Sequence, residues 1–219
     1  MATPSPSTVA ALTELGRIRL SENFFMREML YSEVSNFHGI PNIPDDPDLA
    51  IEVGRNLCEK LLEPLHRAFG QVTVRSAFRS AKVNGFCHEK LNETGDPTLG
   101  YYCSDNTYGA ARHIWDHRDA AGHIGGTVSV VIPWYLQRFE ETRDPKPLAW
   151  WIKDHVPEYA EVLMFPWLCA FNIRWYSGPS DQQIILDDGT EHVLLTDRTM
   201  DNFLEDQTAH YRGFPSLDA

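Results

Sequence analysis

The residue types best suited to chemistry are concentrated in the segment from Ala110 to Trp134. Within eleven positions of this segment lie three histidines and two aspartates, namely His113, Asp116, His117, Asp119 and His123. Imidazole nitrogens and carboxylate oxygens at short spacing are common ligands of zinc. His113 and His117 are four residues apart, so on a helix they would share one face. The cluster therefore predicts either a metal site or a polar loop that precedes a buried strand.

The clearest element that could position this cluster is a long amphipathic helix. Asp46 is a good N-cap, Pro47 suits the first helical turn, and Gly70 suits the end of the helix. Between them, apolar residues recur at helical spacing, namely Leu49, Val53, Leu57, Leu61, Leu65 and Phe69. The pattern predicts a helix over 47–69, with a kink at Pro64, followed by a strand at 72–76.

Other elements are predicted from apolar periodicity and turn residues. An Asp188-Gly189 turn predicts a β-hairpin near the C-terminal end. A segment rich in Gly, Asn and Asp is expected to form a long loop over the site, at 85–109. Helices are expected at 21–32 and 148–156, strands at 127–133, 161–165 and 170–176, and the hairpin strands at 184–186 and 192–195.

The domain organisation follows from changes in composition. Residues 1–20 are rich in Pro, Ser, Thr and Ala and are predicted to be a flexible or partner-bound N-terminal arm. Residues 21–178 should form the main domain. Residues 179–219 carry nine acidic residues against Arg198 and Arg212, and should form an acidic hairpin and tail packed on that domain.

Composition excludes several classes of function. The net charge is −12, from 19 basic and 31 acidic residues, which argues against nucleic-acid binding because phosphates require lysines and arginines. No run approaches the roughly 20 apolar residues that cross a bilayer, and the N-terminus lacks the pattern of a secretory signal. The four cysteines contain no Cys-x-x-Cys pair, which favours free thiols in a reducing compartment, although Cys87 and Cys103 could form one disulfide.

Three stretches together resemble the zinc D-Ala-D-Ala carboxypeptidase family, and most closely its phage and prophage members. They are LSENFFMREMLYS, NLCEKLLEPLHRAFGQVTV and SAFRSAKVN. The resemblance covers roughly residues 20–215 and implies an α+β fold of the hedgehog/D,D-peptidase type, with helices packed on a small, mostly antiparallel sheet. It also implies substrate-binding roles for Arg79, Ser80 and Trp175. A guanidinium group suits the first of these roles because it can grip a peptide carboxylate with two hydrogen bonds.

The two motifs that carry zinc chemistry in that family depart from its pattern in this chain. Aligning His123 with the first ligand puts Val130 where an aspartate belongs, and the register one residue earlier offers Gly122 and Ser129. In the second motif Trp175 is kept, but Asn172 stands near the position of the catalytic glutamate and Ser177 at that of the histidine ligand. An amide cannot act as a general base.

Two functions are consistent with this pattern. In the first, the protein keeps the peptidase fold, has lost the zinc chemistry and needs no cofactor. It would then serve as a virion structural or cell-wall-recognition component, located in the virion or in the bacterial cytoplasm before assembly. Its partners would be other virion proteins or copies of itself through the N-terminal arm, and peptidoglycan peptides. In the second, it is an active zinc D,D-peptidase that cleaves peptidoglycan stem peptides, with ligands from the cluster His113, Asp116, His117, Asp119 and His123.

Overall fold

Residues 3–107, 112–188 and 190–217 are described by a computed structural model. Over these residues the chain is a mixed α+β protein whose strands form one six-stranded, mostly antiparallel sheet in the order β1-β2-β4-β3-β5-β6. The expected α+β class is therefore confirmed. The chain divides into two units, Met1–Arg55 with Ser76–Thr127 (unit 1) and Asn56–Arg75 with Val128–Ala219 (unit 2).

The helices and strands have the following bounds. The α-helices are α1 Val9–Gly16, α2 Met26–Met29, α3 Glu33–His38, α4 Pro47–Leu57, α5 Glu63–Phe69, α6 Ala81–Thr94, α7 Pro133–Thr142 and α8 Lys146–His155. The strands are β1 Thr73–Ser76, β2 Gly125–Val131, β3 Glu161–Met164, β4 Phe171–Tyr176, β5 Gln183–Asp187 and β6 His192–Thr196. No helix in the described ranges combines the length and the apolar content that spanning a membrane requires.

The long helix predicted from the apolar stripe is confirmed, with one irregularity. The Asp46 carboxylate accepts a hydrogen bond from the backbone N–H of Leu49 at 3.1 Å, and Gly70, at φ +76°, ends the helix. Between α4 and α5, Cys58–Leu62 forms a π-helical turn. A proline ring clashes with the carbonyl group four residues earlier, and a widened turn relieves that clash. The irregularity expected at Pro64 therefore lies just before it.

The N-terminal segment contains a capped helix and hydrogen bonds to the loop before α4 and its first turn. The Thr8 hydroxyl caps α1 by accepting a hydrogen bond from the Ala11 N–H at 3.1 Å. Earlier in the segment, the Thr3 N–H bonds the Asp48 carboxylate and the Ser5 hydroxyl bonds the Pro44 carbonyl, both at 2.8 Å. A capped helix and these two hydrogen bonds connect the described part of this segment, which was predicted to be a flexible or partner-bound arm, to other residues of its own chain.

Helix α6 replaces the first part of the loop that was predicted over 85–109. The Ser80 hydroxyl caps it by accepting from the Val83 N–H at 3.2 Å, and Gly95, at φ +60°, ends it. The loop prediction is therefore wrong for residues 85–94. Glycine and asparagine are weak helix formers, but tertiary bonds compensate, since the Asn84 amide donates to the Ser104 carbonyl at 2.8 Å.

A disulfide joins Cys87 in α6 to Cys103. The sequence favoured free thiols at all four cysteines, and for this pair that expectation is wrong. The spacing of cysteines along the chain does not reveal which of them the fold brings together. Cys58 and Cys169 are buried.

The core of unit 1 forms around Trp115, whose side chain is fully buried. Its indole N–H donates to the Thr127 carbonyl at 3.2 Å, and its ring meets that of Phe78 edge-on. A side chain on Gly126 could not fit beside it. A Cβ atom there would lie 2.7 Å from Val53 Cγ1 and 2.8 Å from the Trp115 ring.

The sheet in unit 2 contains the predicted strands and hairpin. Strand β3 pairs antiparallel with β4 and parallel with β5, and β5 pairs antiparallel with β6. The hairpin formed by β5 and β6 was predicted, although Gly189 of its turn lies outside the described residues. Strand β2 is buried along its whole length. The expected run from 127 to 133 thus starts and ends two residues earlier, because Pro133 begins the unpredicted helix α7.

We predict that Gly126→Ala destabilises the protein by about 3 kcal/mol, because the added methyl group overlaps the Trp115 ring and Val53. Urea unfolding followed by fluorescence measures the change. Gly85→Ala is the matched control. Its added Cβ would meet its nearest neighbour, the Asn106 amide, at 3.4 Å. The helix propensity of alanine should leave this variant unchanged or up to about 1 kcal/mol more stable. Equal effects of the two substitutions would contradict the packing account.

We predict that Cys87→Ser lowers the free energy of unfolding by about 3 kcal/mol, the entropic effect expected for a loop of roughly 15 residues. Thermal unfolding should then be sensitive to dithiothreitol in the wild type and insensitive in the variant. Cys169→Ser controls for the loss of a buried thiol without a disulfide. Sensitivity to the reductant that persists in Cys87→Ser would show that the disulfide does not supply this stability.

Candidate functional site

The five clustered side chains lie in the segment between Arg112 and β2, in unit 1. This segment is a loop, so His113 and His117 do not share the face that they would share on a helix. Two of the five, Asp116 and His117, converge with a residue that the sequence reasoning did not select, Asp45. Each of the three offers one ligand atom, and these atoms all lie within 4.8 Å of one another.

Asp116 is the buried member of this group, and its side chain has no exposed surface. Its Oδ2 atom accepts a hydrogen bond from the Asp45 backbone N–H at 2.7 Å. Its Oδ1 atom is buried and has no hydrogen-bond partner among the described residues. Burial raises the pKa of Asp116, while the bond from the Asp45 N–H acts in the opposite direction. Oδ2 is therefore held by a hydrogen bond, whereas Oδ1 is buried without a hydrogen-bond donor in the described part of the chain.

His117 lies beside this buried oxygen, and the Asp45 side chain lies near the same carboxylate group. The Nε2 atom of His117 lies 3.9 Å from Asp116 Oδ1, and about half of the His117 side chain is exposed. Asp45 is exposed in the loop before α4. No local signal in the sequence identified Asp45, because 71 positions separate it from Asp116. An acidic residue before α4 was also already accounted for, since the adjacent Asp46 was predicted as the N-cap of that helix.

His113 lies apart from that group, among backbone atoms. Its Nδ1 atom is 2.7 Å from the Ala77 carbonyl oxygen, so Nδ1 carries the hydrogen in the neutral ring. Its own carbonyl accepts a hydrogen bond from the Arg79 N–H at 2.7 Å. Burial lowers the pKa of His113 to about 3, and the charges of Arg79 and Arg112 act in the same direction. His113 therefore joins two segments of unit 1 as a neutral side chain.

Asp119 and His123 build the turn that follows. The Asp119 Oδ1 atom accepts hydrogen bonds from the backbone N–H groups of Ala121 and His123, each at 2.9 Å. The Asp119 N–H donates in turn to the His123 carbonyl, also at 2.9 Å. Among the described residues neither side chain joins the group around Asp116. Their spacing reflects turn formation.

Arg79 is held by the chain itself. Its guanidinium donates to the Tyr102 carbonyl at 3.2 Å, to Cys103 Sγ at 2.8 Å and to the Ser76 hydroxyl at 3.3 Å. Burial lowers the pKa of Arg79, and the charge of Glu33 partly offsets that effect. These contacts give Arg79 a structural role between β1 and the disulfide.

Ser80 lies beside a small cleft, of about 190 Å³, that also reaches Asp45. The walls include Ser5 and Pro6 from the N-terminal segment, together with Lys82. The Ser80 hydroxyl also caps α6, through the hydrogen bond that it accepts from the Val83 N–H. The cleft thus brings the Lys82 and Asp45 side chains to one surface.

Trp175 belongs to unit 2. It is 6% exposed, and the Lys60 ammonium lies 5.0 Å from its ring centre, at cation–π distance. A cleft of about 270 Å³ in the same unit is lined by residues of both signs, including Glu161, Arg174 and Asp181. The three residues that the family resemblance marks for substrate binding are thus divided between the units, with Arg79 and Ser80 in unit 1.

Four positions where the family pattern expects a metal ligand or the catalytic base carry other side chains, namely Ser129, Val130, Asn172 and Ser177. In β2, Val130 is fully buried and Ser129 is 6% exposed. In β4, Asn172 is half-buried and lies on the strand face opposite Phe171, Ile173 and Trp175, while Ser177 is exposed.

The chain matches no protein-family model, no curated protein sequence and no solved structure.

We predict that acidification destabilises the fold through His113. Its pKa is near 6.5 in the unfolded chain and about 3 in the folded protein, so the unfolded state binds the proton preferentially between these values. The stability from neutral His113 is fully present above pH 6.5 and is lost as the pH falls, by about 2 kcal/mol at pH 5.

His113→Asn keeps a donor near the Nδ1 position but does not titrate. Urea unfolding at pH 7 and pH 5 should show a smaller loss of stability in this variant than in the wild type. His192→Asn, at a largely exposed histidine, is the matched control and should keep the wild-type loss. An unchanged loss in His113→Asn would contradict the assignment.

Proposed function

We propose that this protein is a phage- or prophage-type relative of the zinc D-Ala-D-Ala carboxypeptidases that has lost the zinc peptidase chemistry. In this proposal it keeps the hedgehog/D,D-peptidase architecture and acts as a virion structural or cell-wall-recognition component. Its partners are other virion proteins, further copies of the chain, or peptidoglycan peptides. It acts in the virion, or in the bacterial cytoplasm before assembly.

One observation carries this proposal, namely the state of strand β2. In the family pattern this strand presents a metal ligand, but here the two positions in question are a buried valine and a buried serine. Neither side chain supplies the carboxylate oxygen that the motif requires. Asn172 near the position of the catalytic base adds to this argument, because an amide does not accept a proton at neutral pH.

The contacts of Arg79 also support a non-catalytic role. In a D,D-peptidase of the expected kind, this guanidinium would hold the terminal carboxylate of the substrate. Here it donates to a carbonyl group, a disulfide sulfur and a hydroxyl group of its own chain. A substrate carboxylate would have to displace these bonds.

The second candidate is an active zinc D,D-peptidase, favoured by the convergence of Asp116 and His117. If zinc bound there, these residues would be its ligands in unit 1, and Arg79 would hold the terminal carboxylate. Zinc would supply an activated water molecule and polarise the scissile carbonyl. This candidate lacks a general base at Asn172.

Two measurements test the proposal. The purified chain, with zinc added, is incubated with a peptide that ends in D-Ala-D-Ala, and released D-alanine is measured. We expect no release above that of the His117→Ala variant. Release that is stoichiometric in zinc and lost in His117→Ala would overturn the proposal in favour of the peptidase.

The second measurement concerns the particle. Quantitative mass spectrometry of purified phage particles should find the chain at a fixed copy number relative to the major capsid protein. An accompanying sedimentation assay with purified peptidoglycan tests cell-wall recognition. Absence from particles together with no binding to peptidoglycan would contradict both forms of the proposed role.

A further inference from the structure

We infer that Asp45, Asp116 and His117 form a binding site for a first-row divalent metal ion, with zinc as the preferred ion. The site is independent of the peptidase motifs, since it uses a carboxylate from the loop before α4 that those motifs do not contain. A metal ion bound at this site would link the loop before α4 to the loop before β2.

The first argument is the state of Asp116. A fully buried carboxylate normally has hydrogen-bond donors on both oxygen atoms, because desolvation of an unpaired negative charge is costly. Here the Asp45 N–H satisfies only Oδ2, and Oδ1 has no partner among the described residues. A cation bound to Oδ1 supplies the missing partner.

The second argument is the geometry around that oxygen. His117 Nε2 lies 3.9 Å from Oδ1, and the three ligand atoms lie within 4.8 Å of one another. Two ligands at about 2.1 Å from a tetrahedral zinc ion are roughly 3.4 Å apart. The separation between Nε2 and Oδ1 must therefore shorten by about half an ångström. The exposed His117 ring can move by that amount, whereas Asp116 is already fixed by its bond to the backbone.

The third argument is the chemistry of the ligands. Two carboxylates and one imidazole form a mixed oxygen and nitrogen set that suits zinc and manganese. Calcium prefers six to eight oxygen ligands, and magnesium prefers an octahedron of oxygens, so neither matches an imidazole-containing set. Zinc should bind more tightly than manganese by the usual order of affinities. Water would complete the coordination.

Isothermal titration calorimetry on the untagged full-length chain, after treatment with a chelator, tests the inference with zinc chloride and manganese chloride. We expect one zinc ion per chain, weaker binding of manganese and no detectable binding of calcium. With zinc at a hundredfold excess over its Kd, the Tm should rise by about 5–10 °C.

Three variants assign the site. His117→Ala, Asp45→Asn and Asp116→Asn should each weaken zinc binding by at least about a hundredfold. His117 and Asp45 are exposed, so the first two variants are expected to fold even if Asp116→Asn does not. Asp116→Asn adds a separate readout: without metal its Tm should equal or exceed that of the wild type, because the buried charge is gone.

His192→Ala is the matched control. His192 is an exposed histidine whose Nε2 lies 3.7 Å from a carboxylate oxygen of Asp187. It resembles the pair formed by His117 and Asp116, but among the described residues no third ligand completes a group there. Zinc affinity in this variant should equal that of the wild type. No binding to the wild-type chain, or equal affinity in His117→Ala, overturns the inference, and neither result depends on whether the protein cleaves peptides.

Discussion

The structure of unit 1 depends on the close packing of the Trp115 ring against the backbone of Gly126. The indole ring fills the space that a side chain at Gly126 would occupy, and Val53 of α4 closes the same contact. The indole N–H is satisfied by the Thr127 carbonyl. Asp116 and His117 follow Trp115 directly in the chain, so this apolar contact helps to position the backbone of these two polar residues.

A buried carboxylate, that of Asp116, directly follows the fully buried Trp115 in the chain. The Asp45 backbone N–H donates a hydrogen bond to Asp116 Oδ2, and Oδ1 has no hydrogen-bond partner among the described residues. A buried ion costs several kcal/mol unless its remaining acceptor sites are also compensated. The loop before α4 compensates this charge only in part, with one hydrogen bond from the Asp45 backbone N–H, because the nearby Asp45 carboxylate repels Asp116. A cation at this point would complete the compensation.

Local sequence patterns were sufficient to predict the elements that are determined by periodicity, capping and turn residues. The helix from Pro47, its Asp46 cap and the hairpin of β5 and β6 follow from periodicity and turn chemistry. Helix α6 was not predicted because its stability comes from a disulfide and from bonds to a distant segment.

The candidate site was predictable only in part, for the same reason. Asp116 and His117 belonged to a conspicuous cluster, whereas Asp45 meets them across 71 positions of sequence. The spacing of His113 and Asp119 in the sequence suggested metal ligands, but among the described residues neither belongs to the group around Asp116. His113 bonds the Ala77 carbonyl, and Asp119 accepts hydrogen bonds from two backbone N–H groups. Neither of these contacts produces a repeating pattern in the sequence.

The Cys87–Cys103 linkage has a consequence for the exposed residues that it encloses. Gly95, Thr98 and Gly100 are all exposed within the enclosed stretch, and such stretches are where proteases cut folded proteins. After a single cut there, the two fragments remain covalently attached through the sulfur atoms. The nicked protein therefore migrates as one species until a reductant separates it, and Arg79, bonded to Cys103 Sγ, keeps its anchor in the nicked form.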